Sequence, residues 1–217
     1  MVNHHLPLDL LLAHAAGTLG DSESLLVACH ITLCPTCRAV VDDAEAVGGA
    51  LLSPRSPESP SGTDPDPASS SALARMLARL DEADDGDPEP ASSAGPFDPT
   101  GLLPAPLYRL TGPLDQQTWQ TPFPGVELTG IPALRDGRFV HLTRVQPALE
   151  IPRHRHPGFE ATLVLAGGFR DDDGQPYARG DVCVRDETRP HQQWVDPGEP
   201  CVWLLVAFGA FILDPGD

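Results

Sequence analysis

The chain contains no lysine: its 14 basic residues are all arginine, set against 31 acids, for a formal net charge of −17. Binding to nucleic acid needs a positive footprint for the phosphates, so a direct nucleic-acid partner is excluded. An acidic surface instead aids solubility and steers the approach of a basic protein partner. Also missing is an apolar run of the roughly 20 residues that cross a bilayer. The N-terminus has no basic region leading into an apolar core and cleavage site. No membrane association is expected, and the expected location is the cytoplasm. Cysteine is sparse as well. Five in 217 residues, two of them in a CxxC pair, fit a reducing compartment better than a disulfide framework.

What is present suffices to fold. A hydrophobic content of 41% supports packed cores, and 217 residues allow one large domain or two small ones. The most informative stretch is His30-Ile31-Thr32-Leu33-Cys34-Pro35-Thr36-Cys37. Offsets of four and three residues across a helix end and the next helix start bring His30, Cys34 and Cys37 to one side. Pro35 suits the first position of that next helix. Cys37 then lies in a first turn, where the helix dipole favours a thiolate. Two thiolates and two imidazoles make the closed tetrahedral set of structural zinc. His5 is taken as the fourth ligand, with His4 and the more distant His14 as the other candidates. The plain alternative is a reduced CxxC in a helical domain with incidental histidines.

Around this stretch the pattern predicts three helices. The first covers 7–16 and ends at Gly17, a natural position after a helix C-terminus. Asp21 caps the second, which carries Leu25, Leu26, Cys29 and His30, with Cys29 read as a buried apolar side chain. The third runs from Pro35 to Gly48-Gly49. A domain of such short helices needs a staple, and zinc would supply it. Residues 53–70 are rich in proline, serine and acid and read as a flexible loop. Ser71 then caps a helix in which Leu73, Met76, Leu77 and Leu80 repeat at i, i+3, i+4 and i+7. That stripe either packs back on the first three helices or lies in a partner's groove. An acidic, proline-rich linker follows over 86–100.

Residues 101–217 read as short strands with frequent turns, a β-sandwich or barrel. Strand-like runs cover 139–145, 161–165, 181–184 and 203–208, the last a candidate central strand buried on both faces. Asp136-Gly137 and Asp172-Asp173-Gly174 are hairpin signals. Within this region His154 and His156 share one strand face, Glu160 follows the Pro157-Gly158 turn, and His191 stands where a later strand returns. Three imidazoles and one carboxylate suit zinc or another divalent transition metal such as iron, manganese or nickel. The alternative is a surface HxH with an unrelated glutamate. Cys183 and Cys201 are read as buried strand cysteines, with redox sensitivity as the other possibility.

The pattern H-x-H-x3-E-x6-G from His154 to Gly167, followed by Gly180-Asp181 and Pro190-His191, resembles the two cupin motifs. An N-terminal histidine, HxxxCxxC, a tethered helix and then a cupin together resemble the ChrR-type zinc-binding anti-sigma factors, over almost the whole chain. The resemblance implies a multidomain α + β fold: a small zinc-binding helical anti-sigma domain over 1–85, then a cupin β-barrel or sandwich over 101–217. It implies structural zinc at His5, His30, Cys34 and Cys37, and a second zinc at His154, His156, Glu160 and His191. The implied function is to sequester an extracytoplasmic-function-type sigma factor. Release would follow an oxidative signal, singlet oxygen or peroxide-like, sensed with the cupin. The competing class is a metal-dependent cupin enzyme, such as a small-molecule dioxygenase. The helical zinc module and the apolar stripe have no purpose in a plain enzyme and favour the regulator.

Overall fold

The computed structural model describes residues 2–52, 67–82, 98–134 and 136–213, with the backbone alone at 67–70, 73 and 80–82. Helix α1 (Leu8–Ala15) gives way to Gly17 at φ 66°, and Thr18 N–H reaches back to the Ala13 carbonyl at 3.0 Å. The left-handed glycine closes the helix as expected. Helix α2 (Asp21–Leu33) is followed by α3 (Pro35–Leu52), with Pro35 at its first position and a 118° bend between the two axes.

Several helix boundaries differ from the sequence expectation. Asp21 does not cap α2: the cap residue is Gly20, and both the Ser22 amide and its hydroxyl go to the Asp136 carboxylate, at 2.8 and 2.7 Å. A distant aspartate thus supplies the anion that a helix N-terminus favours. Helix α3 does not stop at Gly48-Gly49 but continues to Leu52. An internal glycine costs only about 1 kcal/mol relative to alanine, and Ala50, Leu51 and Leu52 prolong the helix. Helix α4 spans Pro67–Glu82, so Ser71 lies inside it rather than at its cap. Proline at a helix's first position explains the earlier start. It also removes 67–70 from the loop expected over 53–70, the rest of which lies outside the described residues, as does most of the linker expected over 86–100.

A seven-residue helix not expected from the sequence, α5 (Ala105–Thr111), precedes the strands. These are β1 (Gln120–Phe123), β2 (Val126–Gly130), β3 (Phe139–Val145), β4 (Glu150–Arg155), β5 (Glu160–Ala166), β6 (Gly168–Asp171), β7 (Pro176–Ala178), β8 (Val182–Arg185), β9 (His191–Val195), β10 (Cys201–Ala207) and β11 (Ile212–Leu213). Two antiparallel sheets result, in the orders β1-β2-β3-β10-β5-β8 and β11-β4-β9-β6-β7. The Asp172-Asp173-Gly174 turn joins β6 to its partner β7, with Gly174 at φ 75°.

The larger sheet is covered on both faces. From β5 and β10, Val164 and Trp203 pack inward with Phe169, Tyr177 and Val195 of the smaller sheet. Leu163, Leu165, Leu204 and Val206 point the other way, into a core shared with Leu11, Leu26, Cys29 and Val41 of the helices and Leu107 of α5. Full coverage explains why β10, paired to β3 and β5, reads as an unbroken apolar run. Each fully buried leucine contributes on the order of 1.5–3 kcal/mol. This packing cuts across the sequence division. Met1–Val47 and Pro96–Asp217 form one compact unit and Gly48–Gly95 another, whereas the sequence division was 1–85 and 101–217.

Candidate metal centres

The first cluster gathers around the bend between α2 and α3. His5 precedes α1, His30 is in the last turn of α2, Cys34 is at the junction and Cys37 is in the first turn of α3. One donor atom from each lies within 4.8 Å of the others. Nδ1 of His5 stands 3.2 Å from Cys34 Sγ and 3.4 Å from Cys37 Sγ. Such spacings suit a tetrahedron around an ion held at about 2.0–2.3 Å by nitrogen and sulfur. His4 is turned elsewhere: its ring packs on Tyr177 at 4.3 Å and its Nε2 bonds the Pro176 carbonyl at 3.0 Å. His14 faces the Ser24 hydroxyl at 3.2 Å.

The His30 ring is oriented from far along the chain. Its Nδ1–H donates to the Gly180 carbonyl at 3.0 Å, which leaves a buried Nε2 without a hydrogen-bond partner. Fixing one ring nitrogen on a carbonyl is how proteins aim the other at a metal. Burial lowers the His30 pKa to about 4, keeping the ring neutral. Burial, reinforced by Cys34, pushes the Cys37 thiol up to about 11, so its first-turn position does not by itself make a thiolate. A bound cation favours that ionisation. Two thiols, two imidazoles and an orphaned buried nitrogen fit zinc.

Gly180 and Asp181 entered the sequence reading only through the cupin motif, yet they hold this site. Gly180 sits at φ 90°, and a Cβ there would come within 2.7 Å of Val2 Cγ2. Asp181 is 1% exposed. Its carboxylate accepts the amides of Asn3 at 2.6 Å, His4 at 2.9 Å and Ala178 at 3.0 Å. Val182 N–H adds a bond to the His4 carbonyl at 3.2 Å. The segment that delivers His5 is therefore tied to the turn between β7 and β8. No local pattern in the sequence marks a contact across more than 170 residues.

The second cluster lies inside the sandwich. His154 on β4 pairs in register with His191 on β9, and Glu160 opens β5 beyond the Pro157-Gly158 turn. Donor atoms of His154, Glu160 and His191 lie within 4.8 Å of one another, and all three residues are buried. His156 falls just outside this tightest set, its Nε2 at 3.9 Å from Glu160 Oε2. Nδ1–H of His154 donates to the Pro152 carbonyl at 2.8 Å, and that of His156 to the Gly209 carbonyl at 2.7 Å. Both Nε2 atoms are thereby free to act as donors to a metal. Burial, helped by the adjacent His191, lowers the His154 pKa to about 4. Burial works to raise the Glu160 pKa, but His191, its Nε2 3.4 Å from Oε2, and the other imidazoles offset it, and the net shift is downward. Glu160 Oε2 and both His191 ring nitrogens are buried without hydrogen-bond partners. A carboxylate among neutral imidazoles with orphaned donor atoms fits a divalent transition metal.

The cluster opens onto a cavity of about 540 Å³ between the sheets. One further histidine lines it. His141 on β3 alternates with Phe139 and Thr143, both also in the lining, and that period of two was the available signal. The remaining cysteines are inert by environment: burial raises Cys29, Cys183 and Cys201 to about 12, so none is a thiolate at neutral pH. Among the described helices, no single one is long and apolar enough to cross a membrane.

Over 204 residues the sequence is 34% identical to the anti-sigma-E factor ChrR of Cereibacter sphaeroides, covering 94% of this chain and 88% of that protein. The chain belongs to the ChrR family of anti-sigma factors. Residues 109–211 match the family described as the ChrR cupin-like domain. The solved complex of Rhodobacter sphaeroides SigE with the anti-sigma ChrR contains a chain that superposes with a TM-score of 0.75. It is 32% identical, and the match covers 95% of this chain and 99% of that one. In this ChrR-family chain the helices come first and the antiparallel cupin second, as the resemblance implied.

Proposed function

We propose that this chain is an anti-sigma factor that holds an extracytoplasmic-function-type sigma factor and gives it up on an oxidative signal, singlet oxygen or peroxide-like, sensed with the cupin. The role is regulatory, not enzymatic. The observation that carries it is the end-to-end likeness to ChrR, including the ChrR found bound to SigE. The arrangement works in the cytoplasm, where a sigma factor is intercepted before it reaches polymerase.

Residues 1–85 hold the sigma factor and residues 101–217 receive the signal, joined through 86–100. Structural zinc is held by His5, His30, Cys34 and Cys37. When bound, it contributes folding free energy to helices too short to be stable alone. Zinc or another divalent transition metal is held by His154, His156, Glu160 and His191. The sigma-binding stripe on α4 comprises Leu73, Met76, Leu77 and Leu80. Met76 and Leu77 are 66% and 51% exposed, which supports the stripe as a contact surface. The side chains of Leu73 and Leu80 lie outside those described. Mixing the purified chain with individually produced extracytoplasmic-function-type sigma factors tests the reading. One of them should form a stable complex and lose promoter-directed transcription; free transcription with all of them overturns it.

A further inference from the structure

We infer that the cupin cavity binds a mainly hydrocarbon molecule carrying a single oxygen function, with that oxygen toward His141 and the metal-ligand cluster. This deepens the signal-receiving role proposed for the cupin and rests on that reading.

The cavity, at about 540 Å³, lies within the range of about 300–1,000 Å³ that encloses small organic ligands. Its walls are apolar, with Phe123, Val126, Leu128, Leu149, Trp203 and Phe211 among them. Among the described residues no arginine lines it, the chain has no lysine, and the formally charged lining residues are Glu150 and Glu160, so the one positive charge a ligand could meet there is that of a metal held by His154, Glu160 and His191. A sugar would press several hydroxyls against hydrocarbon and leave them unpaired, each at a cost. Thr143, Thr162 and Gln193 add neutral hydrogen-bonding groups but no charge.

The polar groups with spare capacity are few. Glu160, 3% exposed, is committed to the metal-ligand cluster, its Oε2 standing 3.4 Å from His191 Nε2, which leaves the buried, unpartnered Nδ1 of His141. The Phe139 ring lies between the histidines, 4.0 Å from His141 and 6.2 Å from His156. Polar contact is thus confined to small points on an apolar wall, which suits a single oxygen function on a hydrocarbon body. Phe123, 44% exposed, meets Phe211 edge to face at 5.6 Å, and Phe211 stands 5.3 Å from His154. That aromatic pair places apolar surface between solvent and the histidines.

The test is calorimetric titration of the zinc-loaded full-length protein with 1-octanol, 1,4-butanediol and glucose. 1-Octanol should bind saturably at one per chain and roughly tenfold or more tighter than 1,4-butanediol, with no heat from glucose. Leu128→Trp and, independently, Val126→Trp fill the cavity from β2. Either variant that retains the circular dichroism and metal content of the parent should lose the octanol heat. The assignment is overturned if 1-octanol does not bind, if 1,4-butanediol binds as tightly, or if octanol binding survives in a folded, filled variant. Sigma-factor binding is measured on the same preparation. Its failure alone sinks the anti-sigma reading and leaves the cavity result standing, and failure of octanol binding alone does the reverse.

Discussion

The two metal-ligand clusters are built on opposite principles. The N-terminal one joins a strap before α1, the end of α2 and the start of α3, pieces that also share the core beneath the larger sheet. Its supporting contacts come from Gly180 and Asp181, far away in sequence. The cupin cluster is set in a frame that exists without it. His154 and His191 face each other across paired strands, and the orienting carbonyls of Pro152 and Gly209 belong to the same domain. With its metal bound, the first would be a fastener, in which metal and fold stand or fall together. The second would be a fitting at the wall of a cavity, removable without dismantling its frame. A fastener suits a module that must hold a partner firmly. A fitting suits a part that must respond to something entering from outside.

Breaking the fastener should have the largest effect. Cys34→Ser removes one thiolate of a site whose metal supplies on the order of 10 kcal/mol or more in small zinc-folded modules. The variant should lose one metal per chain and much of its helical circular dichroism, and it should no longer hold a sigma factor. Elemental analysis alongside thermal melting checks this. Loss of metal with an unchanged helical signal would erase the contrast with the cupin site.

The next largest effect concerns binding without metal. Met76→Asp with Leu77→Asp removes two side chains that are exposed in the free chain. Each is worth about 1.5–3 kcal/mol if a partner covers it fully. Sigma affinity, measured by surface plasmon resonance, should fall by several kcal/mol while both metals and the melting curve stay as they were. Early unfolding would place the stripe in the protein's own core instead.

Asp181→Ala sharpens the contrast, because it touches neither set of ligands. It strips the acceptor from three backbone amides, two of them in the strap leading to His5. Loss of such supporting contacts typically weakens metal binding about 10–100-fold. Competition with a zinc chelator should show that weakening at the thiolate site and leave the cupin metal in place. Equal weakening at both sites would mean that the turn supports the whole protein without preference.

His154→Ala should have the smallest structural effect. One metal is lost, unfolding free energy falls by about 1–3 kcal/mol, and the sandwich persists. In a promoter reporter strain, that variant should still repress but no longer respond to an oxidant. A His154→Ala protein that unfolds, or one that still responds, would remove the distinction between fitting and fastener.

Much of this was legible in the sequence where the chemistry is local. HxxxCxxC is a spacing pattern, and the helix geometry brings His30, Cys34 and Cys37 together from it. The same holds for His154 and Glu160 around a single turn, and for β10 as an apolar run between two partners. Choosing His5 over His4 had no local basis in the sequence. The structure separates them because the His4 ring is occupied by Tyr177 and Pro176. The contributions of Gly180, Asp181 and Asp136 depend on tertiary contacts that no window of sequence contains. Helix α5 is too short to show a helical period, though Pro104 and Pro106 flank its start. The core that the first helices share with the larger sheet was hidden for the same reason: the outward leucines of β5 and β10 look like any buried strand, and nothing in them says that helices cover that face.

The most direct test is a single titration of sigma-dependent transcription in vitro, with the cognate sigma factor, polymerase and increasing full-length chain, run with native protein and with Cys34→Ser. Stoichiometric repression by the native chain and none by the variant is the expected result. Equal repression by both would contradict the claim that a zinc-fastened helical module holds the sigma factor, and repression by neither would contradict the anti-sigma role itself.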